Sequence, residues 1–198
     1  MFQCQWTTNS LAKRAADHDA PNFACDFHGT LILINVKGDS IVGELTQRMA
    51  TLADMRAIWG LVRQVADNIP ADLANEAVQE NILTEIMACC TSGLTPIAVA
   101  KDKSVVGALL ARRDTFDWGF LNGNAIHISF AAIAPEQNDQ GVFAALISDI
   151  KERQATLFAS VKNGDRFGIA DQLQKLGFAH ECTAANGWGD LYKWLPLH

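Results

Sequence analysis

The sequence predicts a mixed α/β fold in which helices lie on the faces of one sheet. Two apolar runs joined by a polar turn at residues 101–104 predict an antiparallel hairpin. Beyond the hairpin, segments with the period of a strand alternate with segments with the period of a helix. A helix that connects two strands allows those strands to run parallel, so we expect the sheet to contain both kinds of pairing.

Composition narrows the classes of function. The chain has 198 residues, which is enough to bury a substantial core, and its net charge is −6. Lys and Arg form no cluster that could neutralise phosphates, so we expect no nucleic-acid partner. No apolar run approaches the roughly 20 residues of a membrane helix, and the first residues lack the pattern of a secretory signal, which predicts a cytoplasmic protein with no membrane association. Five cysteines at irregular spacing favour ordinary thiols over disulfides or a metal site.

Residues 1–41 are expected to form an N-terminal extension to a domain that spans residues 42–198. The extension contains one predicted strand, residues 30–36, which ends at the turn Lys37-Gly38-Asp39. Forty residues with one strand are too few to bury a core of their own. The extension is therefore expected to dock on the main domain or on a second copy of the chain, and the second arrangement would make a homodimer.

Two amphipathic helices follow. The first is predicted over residues 51–69, where Thr51 can cap it and Asp54 places negative charge in the first turn. The second is predicted over about residues 73–90, with Gly93 after its end. Their apolar stripes are predicted to face the core: Met55, Ile58, Trp59, Val62 and Val65 on the first helix, and Val78, Ile82, Ile86 and Met87 on the second.

The remaining elements complete the sheet. Strands are predicted at residues 96–100, 105–111, 125–133, 156–161, 178–182 and 190–194, and helices at 141–153 and 166–176. Gly177 stands where the end of a helix favours a left-handed residue. About a dozen residues separate the hairpin from the strand at 125–133, and they form a candidate substrate-facing loop.

The junction before residue 141 carries the clearest chemical signal. A strand, a short polar loop and a helix that begins at Gly141 follow one another. Unpaired backbone N–H groups at the start of a helix point outward at the positive end of its dipole, which makes a site for an anion such as pyrophosphate. Glycine allows close approach of the phosphates. An ordinary connection has the same pattern, so these residues alone leave both interpretations open.

At this junction the chain resembles the GCN5-related N-acetyltransferase (GNAT) superfamily. Residues 133–146, IAPEQNDQGVFAAL, are similar to its cofactor motif, V-x-P-E-x-R/Q-x-x-G-x-G/A-x-x-L. Residues 173–178, LQKLGF, are similar to its Y-E-K-L-G-F signature, and residues 51–62, TLADMRAIWGLV, to the start of its first helix. The three matches occur in family order and span roughly residues 42–198.

The resemblance implies a mostly antiparallel sheet with helices on both faces and two central parallel strands that splay apart, here 125–133 and 156–161. The pantetheine arm of acetyl-CoA would insert between them and pair with backbone groups near Ile133. Asn163, just past the second strand, is implied at the edge of the cofactor. The backbone amides implied to hold the pyrophosphate are those of Asn138, Asp139, Gln140, Gly141 and Val142.

Three positions depart from the family pattern. Asn138 stands where relatives often have Arg or Gln, which removes a charge-assisted phosphate contact. Phe143 replaces the second small residue of the motif, which makes close approach of the backbone to the phosphates less assured, although a side chain at the start of a helix can still point into the core. Leu173 takes the place of a Tyr that protonates the departing thiolate in many relatives. Because a thiol has an ordinary pKa of about 8.5, losing this acid is expected to slow turnover rather than abolish it.

The general base is also different from that of many relatives, which use a Glu on the strand before the loop. The only titratable side chain on the strand at 125–133 is His127, whose ordinary pKa of about 6.5 suits proton transfer at neutral pH. Ser129 lies two residues further along, and Asp117 in the preceding loop is a further candidate. The alternatives are a sheet residue without catalytic role for His127 and a solvated carboxylate for Asp117.

These features predict transfer of an acetyl group from acetyl-CoA to a primary amine of a small molecule or peptide, by direct attack and without a metal. Two alternatives remain. One is a GNAT-fold module that binds CoA and has weak or no activity, and the other is an unrelated α+β binding domain without a CoA site.

Overall fold

The computed structural model describes residues 30–31, 45–65, 73–113, 125–135, 137, 141–163, 168–183 and 189–196. In these ranges the chain forms one eight-stranded sheet, four α-helices and a short 3-10 turn at Leu52–Asp54. The strands are β1 Thr30–Leu31, β2 Thr46–Met49, β3 Pro96–Val99, β4 Val105–Arg113, β5 Ile126–Ile133, β6 Leu157–Lys162, β7 Ala179–Thr183 and β8 Gly189–Trp194. The helices are α1 Met55–Gln64, α2 Glu76–Ser92, α3 Val142–Lys151 and α4 Ile169–Lys175.

The sheet combines antiparallel and parallel pairing, as predicted. Its strands follow the order β2-β3-β4-β5-β6-β8-β7, and β1 pairs with β6 away from this path. β5 and β6 are parallel neighbours joined through α3, and β1 also runs parallel to β6. The other neighbouring strands pair antiparallel. The predicted fold class is confirmed.

Helices cover both faces of the centre of the sheet, and every residue of β5 is buried. α3 packs on one face, over Gly107 of β4, where an added Cβ atom would come within 2.7 Å of Val142 Cγ1. Glycine at this position therefore lets α3 lie close to the sheet. Arg112 of β4 lies on the opposite face by strand alternation, and its Nε donates to Glu85 of α2 at 3.0 Å.

The predicted helices are confirmed, with two corrections. α1 was predicted to run to residue 69, but it ends at Gln64, because Val65 leaves the helical backbone region (φ −100°, ψ 9°). Met87 was predicted on the buried side of α2 but is 47% exposed, whereas Cys89 and Cys90 are buried. Met87 follows Ile86 by one position, about 100° around the helix, which turns it away from the sheet. None of the helices in the described ranges is long and apolar enough to cross a bilayer.

The edge strand β2 was not predicted. Three of its four residues are exposed, so it lacks the alternation of apolar and polar residues that indicates a strand. β2 is fixed instead by its antiparallel partner β3 and by Arg48, whose guanidinium donates to both carboxylate oxygens of Asp54 at 2.8 and 2.6 Å. The Asp54 carboxylate also accepts from the backbone N–H and the hydroxyl of Thr51. The Arg48 guanidinium holds the pKa of Asp54 well below its usual range.

α4 and the last two strands end the sheet as predicted. Gly177 follows α4 with φ +80°, which glycine adopts without strain. The Phe178 N–H donates to the Leu173 carbonyl at 3.0 Å, and the Gly177 N–H donates to the Gln174 carbonyl at 2.8 Å. These bonds satisfy carbonyls that the helix end leaves open. The chain then enters β7, which pairs with β8.

Asp54→Asn is expected to lower the free energy of unfolding at neutral pH by about 1–2 kcal/mol, the range for losing a helix cap with a charged partner. Asn keeps the size of the side chain but removes the charge that Arg48 pairs with. Urea denaturation followed by circular dichroism measures the change. Asp102→Asn is the matched control, since Asp102 also accepts two hydrogen bonds, both from Ser104, but in the exposed β3–β4 turn. An equal loss of unfolding free energy in both variants would show that the pairing of Asp54 with Arg48 is not the cause.

Candidate functional site

The parallel pair β5–β6 opens into a wedge. β5 pairs with β6 only over residues 126–128, opposite residues 157–159. β4 pairs Ala111 with Ile128 and Leu110 with Phe130, so Ser129 is an extra residue in β5. This is a β-bulge, which bends its strand and increases the local twist. β5 therefore separates from β6 beyond Ser129, and we call the gap between residues 129–133 and 160–162 the wedge.

β1 lies in the wedge. Thr30 and Leu31 pair in parallel with Ser160 and Val161, the residues of β6 that follow its pairing with β5. Cα atoms of β1 also come within 8 Å of Cα atoms of β5. The same edge of β6 is thus shared, first by β5 and then by β1.

α3 begins at the open end of the wedge. Its N-cap is Gly141, with φ +71°, and the space around the position of a Cβ atom at this glycine is open. No side chain in the described ranges caps the helix. The first backbone N–H groups of α3 therefore lie at the positive end of the helix dipole without a side-chain cap from the described part of the chain. The side chains of Val142 and Phe143 are buried, so both point into the core.

Several residues predicted to bind a cofactor lie at one edge of the sheet. Ile133 ends β5, Gly141 and Val142 begin α3, and Asn163 directly follows β6. Because β5 and β6 are parallel, their C-terminal ends lie at the same edge. The remaining predicted residues fall outside the described ranges: Asn138, Asp139 and Gln140 of the phosphate loop, and Asp117 of the substrate-facing loop.

Gln137 is a feature of this loop that the sequence interpretation missed. Its backbone N–H donates to the Ala134 carbonyl at 2.9 Å, and the residue is buried, with 8% exposed. Its side-chain Oε1 has no hydrogen-bond partner within the described part of the chain. A buried carbonyl oxygen without a partner costs free energy, so this oxygen is suited to a ligand that carries an N–H donor.

His127 lies in β5 at the closed end of the wedge and is buried. Its Nε2 is 3.5 Å from the hydroxyl oxygen of Ser160, on β6. Burial lowers the pKa of His127 to about 4; the positive charge of Arg112 also lowers it, and the negative charge of Glu85 raises it. The imidazole is therefore neutral at neutral pH.

Ser129 and Cys89 lie in the same buried region, on the side of the sheet that α2 covers. The Ser129 hydroxyl donates to the Leu110 carbonyl at 3.3 Å and lies 3.7 Å from Cys89 Sγ. Burial and the nearby Glu85 raise the pKa of the Cys89 thiol to about 12, so it stays protonated and unreactive. Glu85 accepts from both Cys89 and Arg112 and therefore links α2 to β4 beside His127. Across the ranges that the structure describes, no cluster of His, Cys, Asp or Glu is suited to a metal ion.

The position of the missing family acid is apolar and closed. Leu173, on α4, is fully buried in the main hydrophobic core. Tyr192 is buried in β8, where it pairs with Ala159 and meets the ring of His180 edge to face at 5.6 Å. Residue 173 therefore has no hydroxyl, and Tyr192, which has one, is buried.

Comparison with known proteins identifies the fold. The sequence matches no protein-family model and no curated protein. A GCN5-related N-acetyltransferase from Kribbella flavida is similar in structure, with a TM-score of 0.57 and 20% identity over 77% of this chain and 98% of the other. The diaminobutyrate acetyltransferase of Paenibacillus lautus, solved with its substrate and coenzyme A, has a TM-score of 0.56 and 15% identity over 78% and 96%. The ribosomal-protein-S18-alanine N-acetyltransferase of Escherichia coli has a TM-score of 0.52 and 16% identity over 77% and 94%. The chain has the GNAT fold, as its resemblance predicted.

The buried imidazole makes the stability of the protein depend on pH. The pKa of His127 is about 4 in the folded chain and about 6.5 when unfolded, so below pH 6.5 the unfolded chain binds a proton that the folded chain does not. The free energy of unfolding is therefore expected to fall as the pH drops towards 4, with a slope approaching about 1.4 kcal/mol per pH unit. His127→Gln, which does not titrate, is expected to flatten the slope.

Urea denaturation across this pH window measures both slopes. Asp54→Asn is the control: it lowers the free energy of unfolding by the same amount at every pH in this window, because the depressed pKa of Asp54 confines its contribution to the slope to pH values below about 4. This variant is expected to keep the slope of the parent protein in the histidine window. Equal slopes for the parent protein and His127→Gln would show that the imidazole is not the cause.

Proposed function

We propose that the protein is an acyl-CoA-dependent N-acyltransferase that moves an acetyl group from acetyl-CoA to a primary amine of a small molecule or peptide. One observation carries this proposal: the wedge opened by the Ser129 bulge ends at the N-terminus of α3, which no side chain of the described residues caps. A gap between parallel strands suits an extended ligand, and a free helix N-terminus suits an anion. Acetyl-CoA has both parts.

The phosphate end fits the residues around Gly141. The backbone N–H groups of Gly141 and Val142 would hold the pyrophosphate, together with those of Asn138, Asp139 and Gln140. The open space beside Gly141 supports this role, since a side chain there would stand between the backbone and the phosphates. Asn163 is exposed at the same edge and would meet the outer part of the cofactor.

The arm would follow β5. Backbone groups near Ile133 lie beyond the bulge, where β5 has no ladder with β6. The Oε1 of Gln137, four residues further on, has no partner among the described residues and would accept from an amide N–H of the arm. From His127 to Ile133 a strand rises about 20 Å, so a long ligand with its anion at α3 would bring its other end towards His127.

Acetyl-CoA, when bound, supplies the thioester whose carbonyl carbon the amine attacks. His127 is the candidate proton acceptor because its imidazole is neutral at physiological pH. A pKa of about 4 makes this imidazole a weaker base than an ordinary histidine, but it can take a proton, directly or through water, from the amine nitrogen once that nitrogen has bonded to the carbonyl carbon and become positively charged. The negative charge of Glu85 favours the protonated ring and so assists this transfer. Ser129 and Asp117 remain the other candidates. The substrates of two structural neighbours, diaminobutyrate and a ribosomal protein, illustrate both classes of acceptor.

A CoA-binding module with weak or no catalysis is the second candidate. The buried Leu173 favours it, because this residue leaves the thiolate without the acid that relatives place there. The two candidates share the cofactor site and differ in whether an amine accepts the acetyl group.

Isothermal titration with acetyl-CoA is expected to show micromolar binding that Gly141→Glu abolishes, since a carboxylate at the start of α3 repels the pyrophosphate. Gly168→Glu is the matched control. Gly168 is the N-cap of α4, with a similar φ of +63° and equally open space, so the substitution introduces the same strain and charge at another helix. This control is expected to retain binding. Absence of binding to the parent protein at millimolar acetyl-CoA would overturn the proposal.

Release of free CoA thiol, followed with a panel of small amines and peptides, is expected to depend on an amine acceptor. His127→Gln is expected to lower kcat by about 10²-fold or more, the range for losing a positioned base, with little change in KM for acetyl-CoA. Cys89→Ala is the control because it alters the same buried region without removing a proton acceptor, and it should keep near-normal kcat. If acetyl-CoA binds but no acceptor leads to release of thiol, the second candidate, a CoA-binding module without catalysis, is the correct one.

A further inference from the structure

We infer that the chain blocks its own cofactor site: β1 occupies the part of the wedge that the pantetheine arm of CoA would enter, and the arm binds only when β1 has left. The inference rests on the proposed function, and it assigns a regulatory role to a segment outside the GNAT-like domain.

The position of β1 is specific. β6 has one edge occupied by β8 along its whole length, and its other edge is divided at residue 160. β5 covers this second edge up to Ala159, and β1 covers Ser160 and Val161. β1 therefore fills the place that β5 vacates at the bulge.

No further chain fits between β1 and β5 where these two strands lie side by side. Neighbouring strands lie about 4.8 Å apart, so a chain inserted between two others needs about 9.6 Å between them. Cα atoms of β1 and β5 approach within 8 Å. An arm that pairs with β5 and the strand β1 therefore compete for the same space.

β1 pairs with a residue that lies beside the candidate proton acceptor. Ser160 pairs with Thr30 through its backbone, while its hydroxyl oxygen is 3.5 Å from Nε2 of His127. By its register, β1 lies along the wedge between the open end and the level of His127. Within the described residues the ladder joins Thr30 and Leu31 to Ser160 and Val161.

The test replaces Thr30→Pro and Leu31→Pro together in the full-length chain. Only alternate residues of a strand donate to one parallel neighbour, and the double replacement removes the donor whichever residue supplies it. Thr30→Val with Leu31→Val is the matched control, because both residues keep their N–H groups and favour strands. Each protein is titrated with CoA and with phosphoadenosine diphosphate, the half of CoA that lacks the arm.

The proline pair is expected to bind CoA at least about tenfold more tightly than the parent protein and the valine pair, which is the gain expected if the open wedge is a tenth or less populated. Its affinity for phosphoadenosine diphosphate should be unchanged, since that probe does not enter the wedge. Equal CoA affinity in all three proteins would overturn the inference but leave the proposed function standing. Failure of both probes to bind any of them would overturn the proposed function as well.

Hydrogen–deuterium exchange on the unaltered chain tests whether CoA displaces β1, and this test does not require the proline variant to fold. Saturating CoA is expected to accelerate exchange in the peptide that contains Thr30 and Leu31 and to slow it in the peptide that contains Ile133. Slower exchange at Thr30 and Leu31 with CoA bound would show that β1 stays in the wedge, and the inference would be wrong.

Discussion

The β-bulge at Ser129 allows β5 to stay paired with β4 on one side while it parts from β6 on the other. A bulge disrupts the ladder at one position, and backbone groups there lose their regular partners. The Ser129 hydroxyl donates to the Leu110 carbonyl of the facing strand, which compensates part of this loss inside a fully buried strand. The wedge, the position of β1 and the approach to the N-terminus of α3 all depend on this divergence.

The C-terminal end of α2 is fixed to β4 beside the bulge. The carbonyl of Ala111, which pairs with Ile128, accepts from the hydroxyls of Ser92 and Thr95 at 2.9 and 3.2 Å. Thr95 is fully buried, so these bonds form in a low dielectric where an unpaired hydroxyl would be costly. Anchored at this end, α2 presents Glu85 to Arg112 and sets the electrostatic surroundings in which burial keeps His127 neutral.

The sequence predicted the elements that are determined by residues close to one another along the chain. The hairpin turn, the period of α2 and the glycines at residues 141 and 177 depend on neighbours along the chain, and they appear where they were expected. β2 and the bulge were missed because they depend on strands distant in sequence, and the exposed residues of β2 carry no apolar pattern. The pair Glu85–Arg112 spans 27 positions and was likewise invisible. Among the site residues, the structure describes His127, Ser129, Ile133, Gly141, Val142 and Asn163, whose roles stay proposals.

The wedge creates an edge in the middle of a sheet. Backbone N–H and C=O groups along residues 160–162 of β6 face a gap, and buried groups of this kind need partners. β1 supplies them at Ser160 and Val161 through main-chain pairing, which requires no particular side chains. An extended ligand arm with amide groups offers the same kind of partner along β5. Both occupants therefore satisfy one physical requirement, that the wedge be filled by an extended chain with amide groups.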